Sequence, residues 1–144
     1  MKCRHTILIL LLMLAQLAPA QAQDGLSVAQ VFSQFGHSKG CKMVEMHDAM
    51  LRGYRLHVYK SLTYKRLGAS VDQLLRADQK RARKIREVVD NGRVSSGYYQ
   101  MEPTPAGMNR FILYSRQPGQ SGTVVYIEGR LSADDIMQLC YAKY

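Results

Sequence analysis

The stretch Thr123-Val124-Val125-Tyr126-Ile127-Glu128-Gly129-Arg130-Leu131-Ser132-Ala133-Asp134-Asp135-Ile136 decides the fold class of this chain. A β-branched apolar run stops at Gly129, and a helix start follows at once, so the segment reads as a strand feeding a helix. Ser132 can cap the backbone N–H of Asp135 while the Asp135 carboxylate reaches back, and Leu131 can meet Ile136 as a hydrophobic staple. Asp134 and Asp135 suit the positive end of the helix dipole. Ile136, Leu139 and Cys140 then share one face, which predicts that the closing helix lies on the sheet.

Working outward, Arg93 to Glu102 and Arg110 to Arg116 read as strands preceding Thr123 to Gly129. The Pro- and Gly-dense segments Pro103 to Gly107 and Gln117 to Gly122 separate them, and a C-terminal three-strand antiparallel meander is expected. Upstream, Ser70 to Asn91 reads as one long helix, capped by Ser70 with Gln73 and stopped by Asn91-Gly92. On its wheel Val71, Leu74, Leu75, Ala82, Ile85, Val88 and Val89 share an apolar arc, with Arg76, Lys80, Arg83, Lys84 and Glu87 opposite. Asp78 falls inside the apolar arc, where an ion needs a partner, and Arg81 three residues on is the expected one.

Tyr54 to Tyr64 alternates as a strand with one wet face, Met43 to Met46 suggests a first strand, and Leu67-Gly68-Ala69 connects. Val28, Val31, Phe32 and Phe35 mark a short helix between Ser27 and Gly36. The expectation is an α+β domain: a mostly antiparallel sheet covered on one face by the long basic amphipathic helix and by short N- and C-terminal helices.

The N-terminus reads as an export signal. Lys2 and Arg4 precede an apolar run from Ile7 to Leu17, and Ala18-Pro19-Ala20 or Ala20-Gln21-Ala22 offers the small-x-small cleavage site. The run is short of the roughly 20 residues that span a bilayer, so no transmembrane segment is expected after cleavage. Residues 1–22 are thus assigned to a cleavable signal peptide and residues 23–144 to a single domain, with a periplasmic or extracellular location.

Cleavage after Ala22 leaves 144 − 22 = 122 residues and removes two of the 20 basic residues, so 18 face 11 acids for a net charge of +7. A moderately basic exported domain suits an anionic glycan, a lipid head group or another envelope protein better than nucleic acid. Cys41 and Cys140 survive processing, and an even pair in an oxidising compartment is expected to be a disulfide.

No motif fixes an activity. There is no P-loop, dinucleotide fingerprint, zinc-protease helix or Gly-x-Ser-x-Gly, and no cofactor, metal or catalytic residue is assigned. His37, Cys41, His47, Asp48 and His57 hold ligand types suited to zinc, but their spacing matches no common zinc signature. Cys41, His47 and Asp48 supply the alternative reading, a small hydrolase or metal-dependent enzyme. Arg76, Lys80, Arg83 and Lys84 are the anion-binding candidates, against the ordinary role of a charge run as a solvated helix face. Tyr98, Tyr99, Tyr114 and Tyr126 lie on neighbouring strands and could form a cross-strand ladder. The leading expectation is a non-enzymatic interaction or envelope-associated binding module.

From Leu26 to Tyr141 the succession of paired-Phe helix, strand, basic helix, three strands and closing Gly129-Arg130-Leu131-Ser132-x-x-Asp135-Ile136 resembles small exported bacterial domains of the domain-of-unknown-function type. The resemblance implies an exported α+β fold and carries over no catalytic residue.

Overall fold

A computed structural model of the chain describes residues 25–141, and the expected signal segment, residues 1–22, lies outside the described residues. Among the described residues three helices and six strands follow in the order α1 (Val28–Phe35), β1 (Lys42–Leu51), β2 (Tyr54–Tyr64), α2 (Gly68–Arg81), β3 (Arg83–Asp90), β4 (Arg93–Met101), β5 (Asn109–Gln117), β6 (Ser121–Gly129) and α3 (Ala133–Tyr141). The strands form one sheet in the order β1-β2-β6-β5-β4-β3. Every neighbouring pair is antiparallel. The chain is α+β.

Period-two alternation divides the sheet's side chains between two cores. Ile112, Tyr114, Val124 and Tyr126 meet α1 and α2 on what is here the front face, through Val31, Phe32, Val71 and Leu75. Phe111, Leu113 and Ile127 meet α3 on the back, through Leu131, Ile136 and Leu139. The expectation of one covered face is therefore corrected: the sheet is sandwiched, because both sets of alternate residues in β5 and β6 are apolar and each needs a cover.

The long helix is also corrected. α2 ends at Arg81, Ala82 is extended, and residues 83–90 form β3 at the sheet edge. Ile85, Val88 and Val89 fit a helical arc, but they are β-branched and precede Asn91-Gly92, the strongest short hairpin signal. Asn91 has φ 50° and Gly92 φ 75°, and Asp90 opposes Arg93 across them, which is the geometry of a two-residue type I′ turn. The expected Ser70–Gln73 cap is likewise absent. The helix starts earlier, at Gly68, where the N–H groups of Leu67 and Gly68 both donate to the Gln120 carbonyl at 3.0 Å. Loop β5–β6 thus anchors the start of α2.

One local expectation holds atom for atom, and a second holds in part. The Asp135 N–H donates to Ser132 Oγ at 3.1 Å and the Ser132 N–H to Asp135 Oδ2 at 2.8 Å, a reciprocal capping box, with Leu131 and Ile136 in the same core. Asp78 is 1% exposed, and Arg81 lies 3.8 Å from it. Its main partners are elsewhere, however: the Ser27 N–H donates to Oδ1 at 2.8 Å and the Val28 N–H to Oδ2 at 2.7 Å. A carboxylate of α2 therefore caps α1, whose own Ser27 side chain makes no cap. Arg81 closes the junction by donating to the Gly25 carbonyl at 2.6 Å.

Candidate functional site

The polar side chains of the front face converge beside α2. Asp72, Arg76 and Gln79 recur at four and three residues, so they form one stripe along the helix. That stripe is one wall of a cleft of about 340 Å³, whose other walls are Gly92, Arg93 and Val94 at the β3–β4 turn and Tyr114 and Arg116 on β5. A second hollow of about 410 Å³ continues past the turn toward Gln117 and Pro118, and Arg93, Val94 and Arg116 line both.

Asp72 organises the floor. The Tyr114 hydroxyl donates to Asp72 Oδ1 at 2.5 Å, Arg116 donates through a terminal guanidinium nitrogen to Asp72 Oδ2, and Arg116 Nε–H lies 3.3 Å from the Tyr114 oxygen. Burial raises the Tyr114 hydroxyl above its ordinary pKa, and the neighbouring Asp72 raises it further, so Tyr114 stays a proton donor. The bond to Tyr114 raises the Arg116 guanidinium as well, so it keeps its charge. Arg116 is thus held in place with one edge of its fork spent on Asp72. Arg76 and Arg93 are exposed, and among the described residues no carboxylate pairs with either. With three guanidinium groups against Asp72, the first cleft carries 3 − 1 = +2.

Of the four cations singled out from the sequence, Arg76 lines this cleft and Lys80 is exposed in the last turn of α2. Arg83 and Lys84 are on β3, opposite Gln100 and Tyr99, and so point to opposite faces of the sheet. Lys84 pairs with Glu87 at 3.5 Å. The single basic helical arc does not exist. Asp72, Arg93 and Arg116 were missed as partners of Arg76, because a helix through residue 91 carries Arg93 away from it; reading Asn91-Gly92 as a hairpin would have returned Arg93 toward α2.

The Cys41, His47 and Asp48 trio is not brought together. Cys41 packs against the front core just before β1, His47 Nε2 meets Glu45 at 3.0 Å, and Asp48 meets His57 Nδ1 at 3.3 Å. His37 is exposed in the loop after α1. Among the described residues no three His, Cys, Asp or Glu side chains gather as a metal site. The expected Cys41–Cys140 bond is not formed: both thiols are free, and they belong to cores on opposite faces of the sheet. Burial raises the Cys140 thiol pKa, opposed by Arg52. The tyrosines make no single ladder either, since Tyr98 opposes Leu113 of the back core while Tyr99 opposes Ile112 of the front core.

An apolar hollow of about 430 Å³ lies on the back face beside α3, between Tyr59, Tyr98, Leu113, Val125 and Cys140. Among the described residues no helix is long and apolar enough to cross a membrane.

Compared with known proteins, residues 15–140 match a family whose description is Family of unknown function (DUF6108). No curated protein and no solved structure matches the chain.

Proposed function

The chain belongs to this family of unknown function, and from its own residues we propose that it is an exported, non-enzymatic module that binds an anionic group in the cleft between α2 and the β3–β4 turn. The observation that carries this reading is the convergence of Arg76, Arg93 and Arg116 on one concave site, drawn from a helix, a hairpin and a sheet strand. Guanidinium forks from three directions suit a planar or tetrahedral oxyanion. Two of them have no carboxylate partner among the described residues, and the third is prepositioned by Asp72 and Tyr114. Prepositioning reduces the ordering cost of binding. Cys41, His47 and Asp48 each meet separate partners, which supports the binding reading over the enzymatic alternative.

Export rests on Lys2, Arg4 and the apolar run to Leu17, and predicts a mature chain starting after Ala20 or Ala22. The binding reading is tested by retention of the chain on an immobilised acidic polysaccharide across a salt gradient. The Arg76→Ala, Arg93→Ala pair is expected to elute at much lower salt, with an unchanged thermal midpoint. Arg83→Glu with Lys84→Glu, away from the cleft, is expected to retain far more of the binding. If the second pair abolishes retention and the first does not, the cleft is not the site.

A further inference from the structure

The two hollows that meet at Arg93 and Arg116 have a composition that narrows the ligand, and we infer, resting on the anion-binding reading above, that the natural ligand is an acidic oligosaccharide, a hydroxyl-rich chain with isolated carboxylates. Together the hollows present three guanidinium groups, Arg76, Arg93 and Arg116, and two carboxylates, Asp72 and Asp90, a balance of 3 − 2 = +1. A densely charged partner such as a polyphosphate or an anionic membrane would set its charges against Asp72 and Asp90, a like-charge contact that costs affinity. A ligand with one charge per several polar groups meets no such penalty.

The remaining lining is neutral and hydrogen-bonding. Gln79 in the first hollow and Asn91, Ser95 and Gln117 in the second supply groups that both donate and accept, and Asp90 supplies an acceptor alone. Sugar hydroxyls need that mixture, because each both gives and takes a bond. Val94 and Pro118 offer small apolar surfaces for the C–H side of a sugar ring. Two hollows sharing the Arg93–Arg116 ridge also suit a ligand longer than one ring: a carboxylate on the ridge would leave a neighbouring residue on each side.

The closing experiment is calorimetric titration of the chain with five probes: a hyaluronan tetrasaccharide, a tetragalacturonate, glucuronate monosaccharide, inorganic phosphate and phosphatidylglycerol vesicles. At about 0.15 M salt at least one acidic tetrasaccharide is expected to bind about tenfold or more tightly than glucuronate, phosphate or vesicles. Arg93→Ala is expected to weaken it at least about tenfold while leaving the melting curve in place, because the side chain is exposed. Gln117→Ala, at the far end, should weaken the tetrasaccharide and leave glucuronate unchanged. Phosphate or vesicles binding more tightly than both tetrasaccharides, with loss on Arg93→Ala, would overturn the oligosaccharide and keep the anion cleft. Absence of any binding that Arg93→Ala reduces would overturn both.

Discussion

The two ends of α2 hold carboxylates six residues apart, Asp72 and Asp78, that serve opposite purposes. Asp78 is 1% exposed and accepts the N–H groups of Ser27 and Val28, so it joins two helices and faces no ligand. Asp72 stands at the edge of a cleft, where it accepts from the buried Tyr114 hydroxyl and holds the Arg116 guanidinium in the cleft lining. The same residue type on the same helix is a structural pin where both oxygens meet backbone, and a positioning group where one of them meets a guanidinium that retains free donors. Surroundings decide which.

The sharpest way to break this contrast is to remove the two carboxylates separately. Asp78→Ala leaves the Ser27 and Val28 donors without acceptors at a buried helix start, and a loss of about 3 kcal/mol in unfolding free energy is expected. Urea denaturation measures it; a loss under about 1 kcal/mol would mean that water replaces the cap. Gly97→Ala should cost about 1 to 3 kcal/mol by overpacking, because a Cβ at Gly97 would lie 2.4 Å from the Tyr99 hydroxyl oxygen and 2.5 Å from its ring. It tests whether the β3–β4 hairpin that carries Arg93 depends on this close approach.

Asp72→Asn should cost less in stability, about 1 kcal/mol, since the amide can still accept from Tyr114. It is expected to lower affinity for the cleft's anion despite removing a negative charge, because Arg116 loses its anchor. Increased affinity would show that Asp72 opposes the ligand and does not position the site.

A smaller effect lies at alkaline pH. Burial raises the hydroxyl pKa of Tyr64, Tyr99 and Tyr114 above the model-compound value of 10.0, helped by Glu87 at Tyr99 and Asp72 at Tyr114. Above that pH the unfolded chain releases tyrosine protons that the native state keeps. Their contribution is therefore complete below pH 10.0 and lost as pH rises beyond it. The urea midpoint should fall as pH rises above about 10, and Tyr99→Phe should reduce the slope. A slope unchanged in that variant would assign the loss to other groups.

The closing helix was legible because its instructions are local. Ser132, Asp135, Leu131 and Ile136 lie within six residues of one another, and each interaction needs only its own turn. The strands β4 to β6 were legible through the Pro- and Gly-dense segments between them and, in β6, through a β-branched apolar run. β3 was misread because Ile85, Val88 and Val89 satisfy a helical and an extended pattern alike; the I′ turn at Asn91-Gly92 and the open edge beside β4 resolve the choice.

The candidate site was legible only at Arg76. Arg93 and Arg116 are separated from it by 17 and 40 residues, and their convergence depends on a strand order that no local pattern specifies. By itself the sequence determined the α+β class, the capped closing helix and the apolar β-branched run of β6, because caps and strand propensity act within a turn or a pleat. Only the tertiary structure decided that both faces are covered, that Asp78 caps a helix fifty residues away in the chain, and that three arginines share one cleft. Those outcomes depend on which apolar surfaces meet, and burial has no preferred direction along the chain.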